Sequence, residues 1–268
     1  MMIQRIGAIA LAIVALAAAQ DKVTVPLSNP SQPATVKINQ VTGSITITVG
    51  KAGEVVVESG ARPTSRKEKE QEAPAGMHRI DAGRGGLDVT EEHNVVTVQT
   101  GRFGLGGSTV IQAPADASLQ LKTVNGGHID VTGISGEIDA DIVNGSILLK
   151  NVSGAIVAHS VNGSVTVTLD KIAADKPMSF TTLNGKIDVT LPADTRARLR
   201  LKSERGAIYS DFDVKLEPDA SKPAVEDGRG AGGKYRIRID KSVYGSINGG
   251  GPEYRFESMN GNIVIRKK

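Results

Sequence analysis

The chain repeats one short pattern, in which an apolar residue precedes Asn-Gly and an Ile or Val follows within three residues. The copies are Val124-Asn125-Gly126, Val143-Asn144-Gly145, Val161-Asn162-Gly163, Leu183-Asn184-Gly185 and Met259-Asn260-Gly261. Two Ser-Gly turns, Ser135-Gly136 and Ser153-Gly154, lie between the first three copies. A repeat that fixes both its turn residues and its apolar residues specifies stacked structural units.

The residue types of the repeat predict a tight turn that leads into a strand. Asn and Gly enter positive φ at the lowest cost, and the Ile or Val after each turn is expected to point inward. If the copies stack about 4.8 Å apart, each Asn amide can hydrogen-bond to the next, whereas Asp would repel its neighbour. The sequence therefore predicts a structural turn ladder of Asn125, Asn144, Asn162, Asn184 and Asn260.

A second repetition has a longer spacing. Pro-Ala-Asp occurs at 114–116 and at 192–194, and from Leu119 onward the following residues correspond with a constant offset of 80. This alignment places Arg205 at the position of Asn125. Tyr244-Gly245-Ser246-Ile247 is expected to be another degenerate copy, with Tyr in place of Asn.

Alternating apolar residues before the repeat predict further strands. Together with the first residues and the repeat, they divide the chain into three parts. Residues 1–19 are expected to be a signal peptide, 20–110 a less regular β-rich part, and 111–268 the β-strand repeat region. Within these parts, 60–79 is a charged segment expected to form a loop, Glu91-Glu92-His93-Asn94 a turn, 101–107 a glycine-rich crossing and 217–233 a long loop.

Composition points to export. Arg5 precedes an apolar stretch from Ile6 to Leu16, and small residues allow cleavage after Ala17 or Ala19. The stretch is shorter than the roughly 20 residues of a membrane-spanning helix, and no second one follows, so no transmembrane segment is expected after cleavage. The chain has no Cys, which excludes disulfides and a lipid-modified cysteine anchor. Its net charge of +3 is too near neutral to predict a nucleic-acid partner.

The expected fold is all-β, an elongated β-solenoid of stacked Asn-Gly and Ser-Gly turns. Trp is absent, and Phe and Tyr number four each, so the core must be mainly aliphatic, as in a thin solenoid. Turns at this spacing also occur in an antiparallel meander, sandwich or barrel. The recurrence of Asn-Gly at every second turn favours stacking, but a barrel could also place alternate turns at one rim.

The chain resembles bacterial secreted "putative adhesin" proteins with β-strand repeats, a domain of unknown function. The likeness is carried by Leu27-Ser28-Asn29-Pro30, by the turns within 111–169, and by Asn-Gly-Lys-Ile and Leu-Pro-Ala-Asp within 183–206. The resemblance implies a solenoid-like domain in the cell envelope, with adhesion or envelope-stress roles. It supplies no catalytic residue to carry over.

The residues that could support chemistry are few. The histidines, His78, His93, His128 and His159, have no zinc-ligand spacing, so no metal or cofactor is predicted. Aspartates at 130, 139, 141 and 188 adjoin isoleucines and are placed on outward positions. Paired carboxylates in a solenoid could hydrolyse a glycosidic bond, and Asp130, Asp139 and Asp141 are the candidates.

The function predicted from these observations is that of a non-enzymatic, exported envelope protein, adhesin-like, with an unknown envelope or cell-surface ligand. Its location is expected to be the periplasm, the outer surface or the extracellular space. The alternatives are an envelope-stress sensing or regulatory module and a carbohydrate-active β-helix enzyme that uses surface carboxylates.

Overall fold

The computed structural model describes residues 21–60, 87–100, 107–173, 175–217, 224–227, 235–238 and 242–268. The expected signal peptide, His78, almost all of the charged segment and most of the glycine-rich crossing lie outside these residues. All regular secondary structure in the described residues is β-strand. No helix in these ranges has the length and apolar character needed to cross a membrane.

The strands are numbered in chain order. The first group is β1 (Asp21–Pro26), β2 (Thr35–Thr42), β3 (Ile45–Val49), β4 (Glu54–Gly60), β5 (Leu87–Glu92), β6 (Val95–Thr100) and β7 (Ser108–Ala113). The repeat contributes β8 (Ser118–Thr132), β9 (Ile138–Gly154), β10 (Ile156–Asn162), β11 (Val165–Ile172), β12 (Met178–Asn184), β13 (Ile187–Leu191), β14 (Ala197–Ser203), β15 (Ile208–Ser210) and β16 (Lys215–Leu216). The last are β17 (Ala224–Asp227), β18 (Tyr235–Arg238), β19 (Val243–Ile247), β20 (Glu253–Asn260) and β21 (Ile263–Lys267).

Nineteen of these strands form one continuous sheet that folds at the Asn-Gly corners into two walls. In wall A the hydrogen-bonded order is β5-β6-β2-β8-β9-β10-β12-β20-β14-β19-β16. In wall B the order is β1-β4-β7-β3-β8-β9-β11-β13-β21-β15. Strands β8 and β9 run through the corner, so each contributes to both walls. The fold is therefore a β-solenoid.

The stacked strands within each wall are parallel, and their register is set by the repeat. Asn125 pairs with Asn144, Asn144 with Asn162, and Asn162 with Asn184. Strands β2 and β3 stack on β8 in the same parallel manner. The antiparallel meander that turn spacing left open is therefore wrong for the body of the fold.

Spatial order departs from chain order at two places. Strands β2 and β3 lie between the strand pair β6 and β7 on one side and β8 on the other. Near the other end, β20 lies between β12 and β14, and β21 lies between β13 and β15. We call the segment 253–267, which comprises β20 and β21, the inserted rung.

Antiparallel strands close three of the four ends of the two walls. Strand β5 pairs antiparallel with β6, and β19 pairs antiparallel with β14, so wall A changes direction at both ends. In wall B, β1 and β4 are antiparallel caps at one end. A reversal of strand direction ends the regular register and leaves no matching edge for another copy of the stack.

The core between the walls is mostly Ile, Val and Leu, as the composition predicts, because alternate residues of each strand point inward. The exception is the part around the inserted rung, where Phe180, Tyr254 and Phe256 are the largest fully buried side chains. The Phe180 and Phe256 rings stack with their centroids 5.1 Å apart. Tyr254 is fully buried, and its hydroxyl has no hydrogen-bond partner in the described structure. Burial raises the pKa of this phenol.

Replacing Tyr254 with Phe is expected to stabilise the protein by about 1 kcal/mol or more, because an unsatisfied buried hydroxyl costs about 1 to 3 kcal/mol. Urea unfolding of the purified protein measures the change. The matched control is Tyr209→Phe, which alters an exposed phenol and should leave stability unchanged. A Tyr254→Phe variant that is less stable than the parent would contradict the absence of a partner.

Three expectations about turns and loops need correction. Glu91 and Glu92 end β5, so the turn is the pair His93-Asn94 alone, with φ values of 52° and 63°. The loop expected at 217–233 contains β17, which pairs antiparallel with β18. Tyr244 lies inside β19 and faces Arg200 of β14 in the strand register, so it is no corner of the repeat. A Tyr-Gly pair lacks the side-chain amide that characterises the corners.

Candidate functional site

The side chains of the Asn-Gly corners form an unbroken hydrogen-bonded row. In each case the Nδ2 atom of one Asn donates to the Oδ1 atom of its neighbour. The bonds run from Asn144 to Asn125 at 2.8 Å, from Asn162 to Asn144 at 2.8 Å, from Asn184 to Asn162 at 2.7 Å and from Asn260 to Asn184 at 2.7 Å. The last pair is 76 residues apart in sequence. We call this row the Asn ladder.

The Asn ladder has a direction, because every amide nitrogen donates toward the Asn125 end. At the opposite end Arg205 Nη1 donates to Asn260 Oδ1 at 3.4 Å. Arg205 thus continues the row at the position that the offset of 80 assigns to it. A donor-only side chain suits this end, since the Asn260 oxygen needs a donor.

Of the two reasons for Asn at the corners, the expectation of a positive φ is wrong. Positive φ in the described residues occurs at four non-glycine positions, His93, Asn94, Asn151 and Asn248, and none belongs to the ladder. The ladder asparagines are extended residues of their strands. Asn is therefore suited to these corners by its amide, which can donate and accept, and not by tolerance of a left-handed backbone.

Glycine follows each Asn because the chain of the neighbouring rung passes too close for a side chain. A Cβ on Gly163 would lie 2.0 Å from the Gly145 carbonyl oxygen, and one on Gly185 would lie 2.1 Å from that of Gly163. Neither residue has positive φ. Gly163 and Gly185 are therefore required by close backbone approach rather than by turn conformation, whereas Gly145 also has a φ of 153°.

A second row of hydrogen bonds lies inside the corner and was missed in the sequence. Most copies carry Ser or Thr two residues before the Asn, and the hydroxyl donates to a corner glycine carbonyl of a neighbouring rung. The bonds are Thr123 to Gly43 (3.4 Å), Ser160 to Gly145 (2.9 Å), Thr182 to Gly163 (2.8 Å), Ser258 to Gly185 (3.1 Å) and Ser203 to Gly261 (3.1 Å). The sequence signal for this row was a Ser or Thr that recurs at a strand position whose side chain points inward.

Replacing Asn144 with Ala should destabilise the protein by about 1 to 3 kcal/mol, because one ladder bond is lost on each side at about 0.5 to 1.5 kcal/mol each. No strain is added, since Asn144 lacks positive φ. The control in the same strand is Asp139→Ala, an exposed side chain whose loss should stay within about 0.5 kcal/mol. Equal denaturation midpoints for the two variants would show that the ladder contributes nothing to stability.

The apolar residue that precedes each ladder Asn points out of wall A, and so does Val41, which precedes Thr42 at the equivalent position of β2. Val41 is 62% exposed, Val124 and Leu183 are 41% exposed, and Met259 is 45% exposed. Val143 and Val161 complete the series and are half-buried. Because the rungs are about 4.8 Å apart, these side chains form a line about 24 Å long beside the Asn ladder. We call it the aliphatic row.

The aliphatic row borders a groove of about 480 Å³ on the outer face of wall A. Leu183 and Met259 form its apolar edge, and His159, Thr181, Lys202 and Glu257 are among its polar residues. Lys202 Nζ lies 3.4 Å from Glu204 and 3.8 Å from Glu257. Arg255 forms an ion pair with Glu257 as well. The groove therefore combines an apolar edge with charges that already compensate one another.

The structure separates the histidines. His93 lies in the β5–β6 turn, and His128 Nδ1 lies 3.4 Å from Ser44 Oγ. His159 Nδ1 lies 2.7 Å from Thr181 Oγ1 in the wall A groove. In the described parts of the chain, no group of three or more His, Asp or Glu side chains is arranged to hold a metal ion.

The candidate carboxylates do not form one cluster. Asp130 belongs to the wall B part of β8 and forms an ion pair with Lys150 at 3.5 Å, whereas Asp139 and Asp141 belong to the wall A part of β9. Asp139 is exposed, and Asp141 is half-buried. All three residues take outward positions, and Asp139 and Asp141 are the two that share a wall.

Asp188 also differs from expectation, because it is largely covered. Its carboxylate accepts hydrogen bonds from Arg266 Nε at 2.8 Å and from Lys186 Nζ at 3.4 Å. The Arg266 hydrogen bond is the main cause that lowers the pKa of Asp188, against the opposing effect of burial. This ion pair joins β13 to β21 on wall B, and a structural role follows from it.

Comparison with solved structures gives distant likenesses. A putative cell adhesion protein from Clostridium sporogenes is 11% identical, with 93% of this chain and 100% of that chain covered and a TM-score of 0.45. A putative adhesin from Parabacteroides merdae is 9% identical, with 94% and 97% covered and a TM-score of 0.24. Such scores do not indicate what this chain binds. No curated protein matches the chain.

A family model gives the decisive match. The model described as Toastrack DUF4097 matches residues 105–247, which is just over half of the 268 residues. The matched range contains the first four Asn-Gly corners and the strands β8 to β16. On this match, the chain belongs to the Toastrack DUF4097 family.

Proposed function

We propose that this protein is an exported, non-enzymatic β-solenoid that binds an envelope or cell-surface ligand on the outer face of wall A, in the manner of an adhesin. The observation that carries the proposal is the aliphatic row beside the wall A groove. A contiguous exposed apolar line next to compensated charges is typical of an interaction surface. The corresponding outward row of wall B is not a continuous apolar line, because Thr46, Asp130, Thr166 and Asp188 interrupt its apolar and aromatic members, Val110, Leu148, Val264 and Tyr209.

Export accords with the signal-like first residues. The intact mass of protein purified from the cell envelope tests it, since cleavage after Ala17 or Ala19 gives two distinct masses. Retention of Met1 in the envelope fraction would oppose cleavage.

The binding proposal is tested by adding charge to one wall at a time. The wall A variant carries Leu183→Lys and Met259→Lys, and the matched wall B variant carries Thr166→Lys and Thr168→Lys. Both gain two charges at outward strand positions. Labelled protein is incubated with intact cells and with isolated envelopes, and the retained fraction is measured. We expect the wall A variant to lose at least about tenfold in affinity, because burying a Leu or Met side chain contributes about 1.5 to 3 kcal/mol.

The same experiment separates the alternatives. Binding only to envelopes of the producing cell would favour a sensing or regulatory module over adhesion. Equal retention of both variants, or loss in the wall B variant alone, would refute wall A as the binding surface. Turnover of a glycan that Asp139→Asn abolishes would establish the carbohydrate-active enzyme instead.

A further inference from the structure

We infer that Asn125-Gly126 is a site of spontaneous deamidation in the folded protein, and that the Asn ladder protects the Asn-Gly pairs in its interior from the same reaction. The inference concerns chemical modification and stands independently of any ligand on wall A. It rests on which amide atoms of the ladder are hydrogen-bonded and which are free.

The reaction needs only water and a base. The backbone nitrogen of the glycine loses its proton and attacks Cγ of the preceding Asn, which forms an N–C bond. Nδ2 leaves as ammonia, and a cyclic imide results. Water then opens either carbonyl of the imide, giving Asp or isoaspartate. Atoms balance with one water consumed and one ammonia released, and no oxidation occurs.

At the interior Asn-Gly pairs, both the Asn side-chain amide and the glycine backbone nitrogen that would attack it are hydrogen-bonded. Asn162 Nδ2 donates to Asn144 at 2.8 Å, and Asn162 Oδ1 accepts from Asn184 at 2.7 Å. The attacking nitrogen, that of Gly163, donates to the Asn184 carbonyl at 3.0 Å. Imide formation must break these bonds and rotate the side chain out of the row. Asn184 is held in the same way, since the Gly185 nitrogen donates to the Asn260 carbonyl at 3.2 Å.

Asn125 differs because it is the last acceptor of a one-directional row. Its Oδ1 accepts from Asn144, but its Nδ2 has no hydrogen-bond partner among the described residues. Thr42 stands opposite it in the next strand. The side chain is exposed, as are those of Asn162 and Asn184, and the strand register breaks between Asn125 and His128, where Gly127 has a φ of 46°. The leaving nitrogen of Asn125 thus lacks the hydrogen bond that holds it at the interior corners, and the register break follows directly after it.

An aspartate product is compatible with the ladder hydrogen bonds at position 125 but not at the interior positions. The aspartate formed from Asn125 would keep accepting from Asn144 Nδ2, and the bond would become charge-assisted. An aspartate formed from Asn162 would lose the donor to Asn144 and would set a carboxylate against the Asn144 oxygen. The folded protein therefore tolerates conversion of Asn125 and resists conversion within the row.

Peptide mapping of the full-length protein tests the inference. One sample is kept folded at mildly alkaline pH, and another is kept unfolded in urea at the same pH. Fragmentation spectra then report the amide-to-acid mass change at each Asn-Gly pair. In urea all pairs should convert at similar rates. In the folded sample Asn125 should convert at least about tenfold faster than Asn162 or Asn184, because imide formation there breaks fewer hydrogen bonds. Tenfold in rate corresponds to about 1.36 kcal/mol of activation free energy.

Equal folded-state rates at Asn125 and Asn162 would overturn the inference, and so would an Asn125 that stays intact. A second measurement tests the product alone. Asn125→Asp should keep the denaturation midpoint of the parent, while Asn162→Asp should lower it and recover part of the loss as the pH falls and the carboxylate is protonated. Equal losses in the two variants would overturn the account of the ladder's direction.

Discussion

Gly163→Ala is expected to destabilise the protein by about 3 kcal/mol or more, which would make it one of the most damaging single-methyl additions in this chain. The new Cβ would lie 2.0 Å from the Gly145 carbonyl oxygen and 2.4 Å from its carbon. Both are backbone atoms, so no side-chain rotation relieves the clash. The rungs would have to separate, which breaks the hydrogen bonds of Asn162 and Ser160 on that side.

The control for Gly163→Ala is Gly249→Ala. Gly249 has a φ of 90°, but nothing lies within 4 Å of its Cβ position. Its replacement measures the cost of left-handed backbone alone, about 1 to 2 kcal/mol. Chemical denaturation of both variants gives the comparison. If Gly163→Ala costs no more than Gly249→Ala, the rungs are not held at the close approach described above.

Phe256→Ala should cost about 3 to 5 kcal/mol, the range for deleting a buried ring. Phe256 is fully buried in β20, stacks on Phe180 and belongs to a strand paired on both sides. Neighbours held by parallel pairing on both sides cannot collapse into the cavity. The loss should therefore fall toward the upper end of the range.

Phe212→Ala removes an equally large ring near the edge of wall B, where the surroundings can relax, and Lys267 Nζ lies 5.3 Å from that ring. We expect it to cost less than Phe256→Ala in urea unfolding experiments. The opposite order would indicate that the inserted rung is loosely held.

Local features of this fold were readable from sequence because they depend on neighbouring residues. The strand positions near Leu119 and Leu199, and the stacking of corners with identical residues, follow from alternation and turn chemistry. Strand parity was a further signal that went unused, because Leu119 and Leu121 fix the inward face and thereby place Thr123 inside and Val124 outside. Judging those two residues by hydrophobicity alone would assign them the wrong way round.

Features that depend on long-range pairing were not readable. Nothing near Met259-Asn260-Gly261 shows that this corner lies beside Asn184 rather than after Arg205. The glycines illustrate a second limit, because positive φ and close backbone approach select the same residue type. Only the 2.0 Å distance at Gly163 distinguishes the two causes. The groove on wall A likewise joins Thr181, Lys202 and Glu257, which no sequence spacing relates.

The inserted rung constrains the order in which the strands of this chain can pair as it folds. A solenoid stacked in chain order can grow one turn at a time behind a ribosome or a translocation pore. Here β12 and β14 have no pairing to one another, and the strand that joins them is made from residues 253–260. Until those residues are made, both strands present open edges, although the rungs from β8 to β13 can already pair with one another. The last-made strands therefore complete the middle of this stack and not its end.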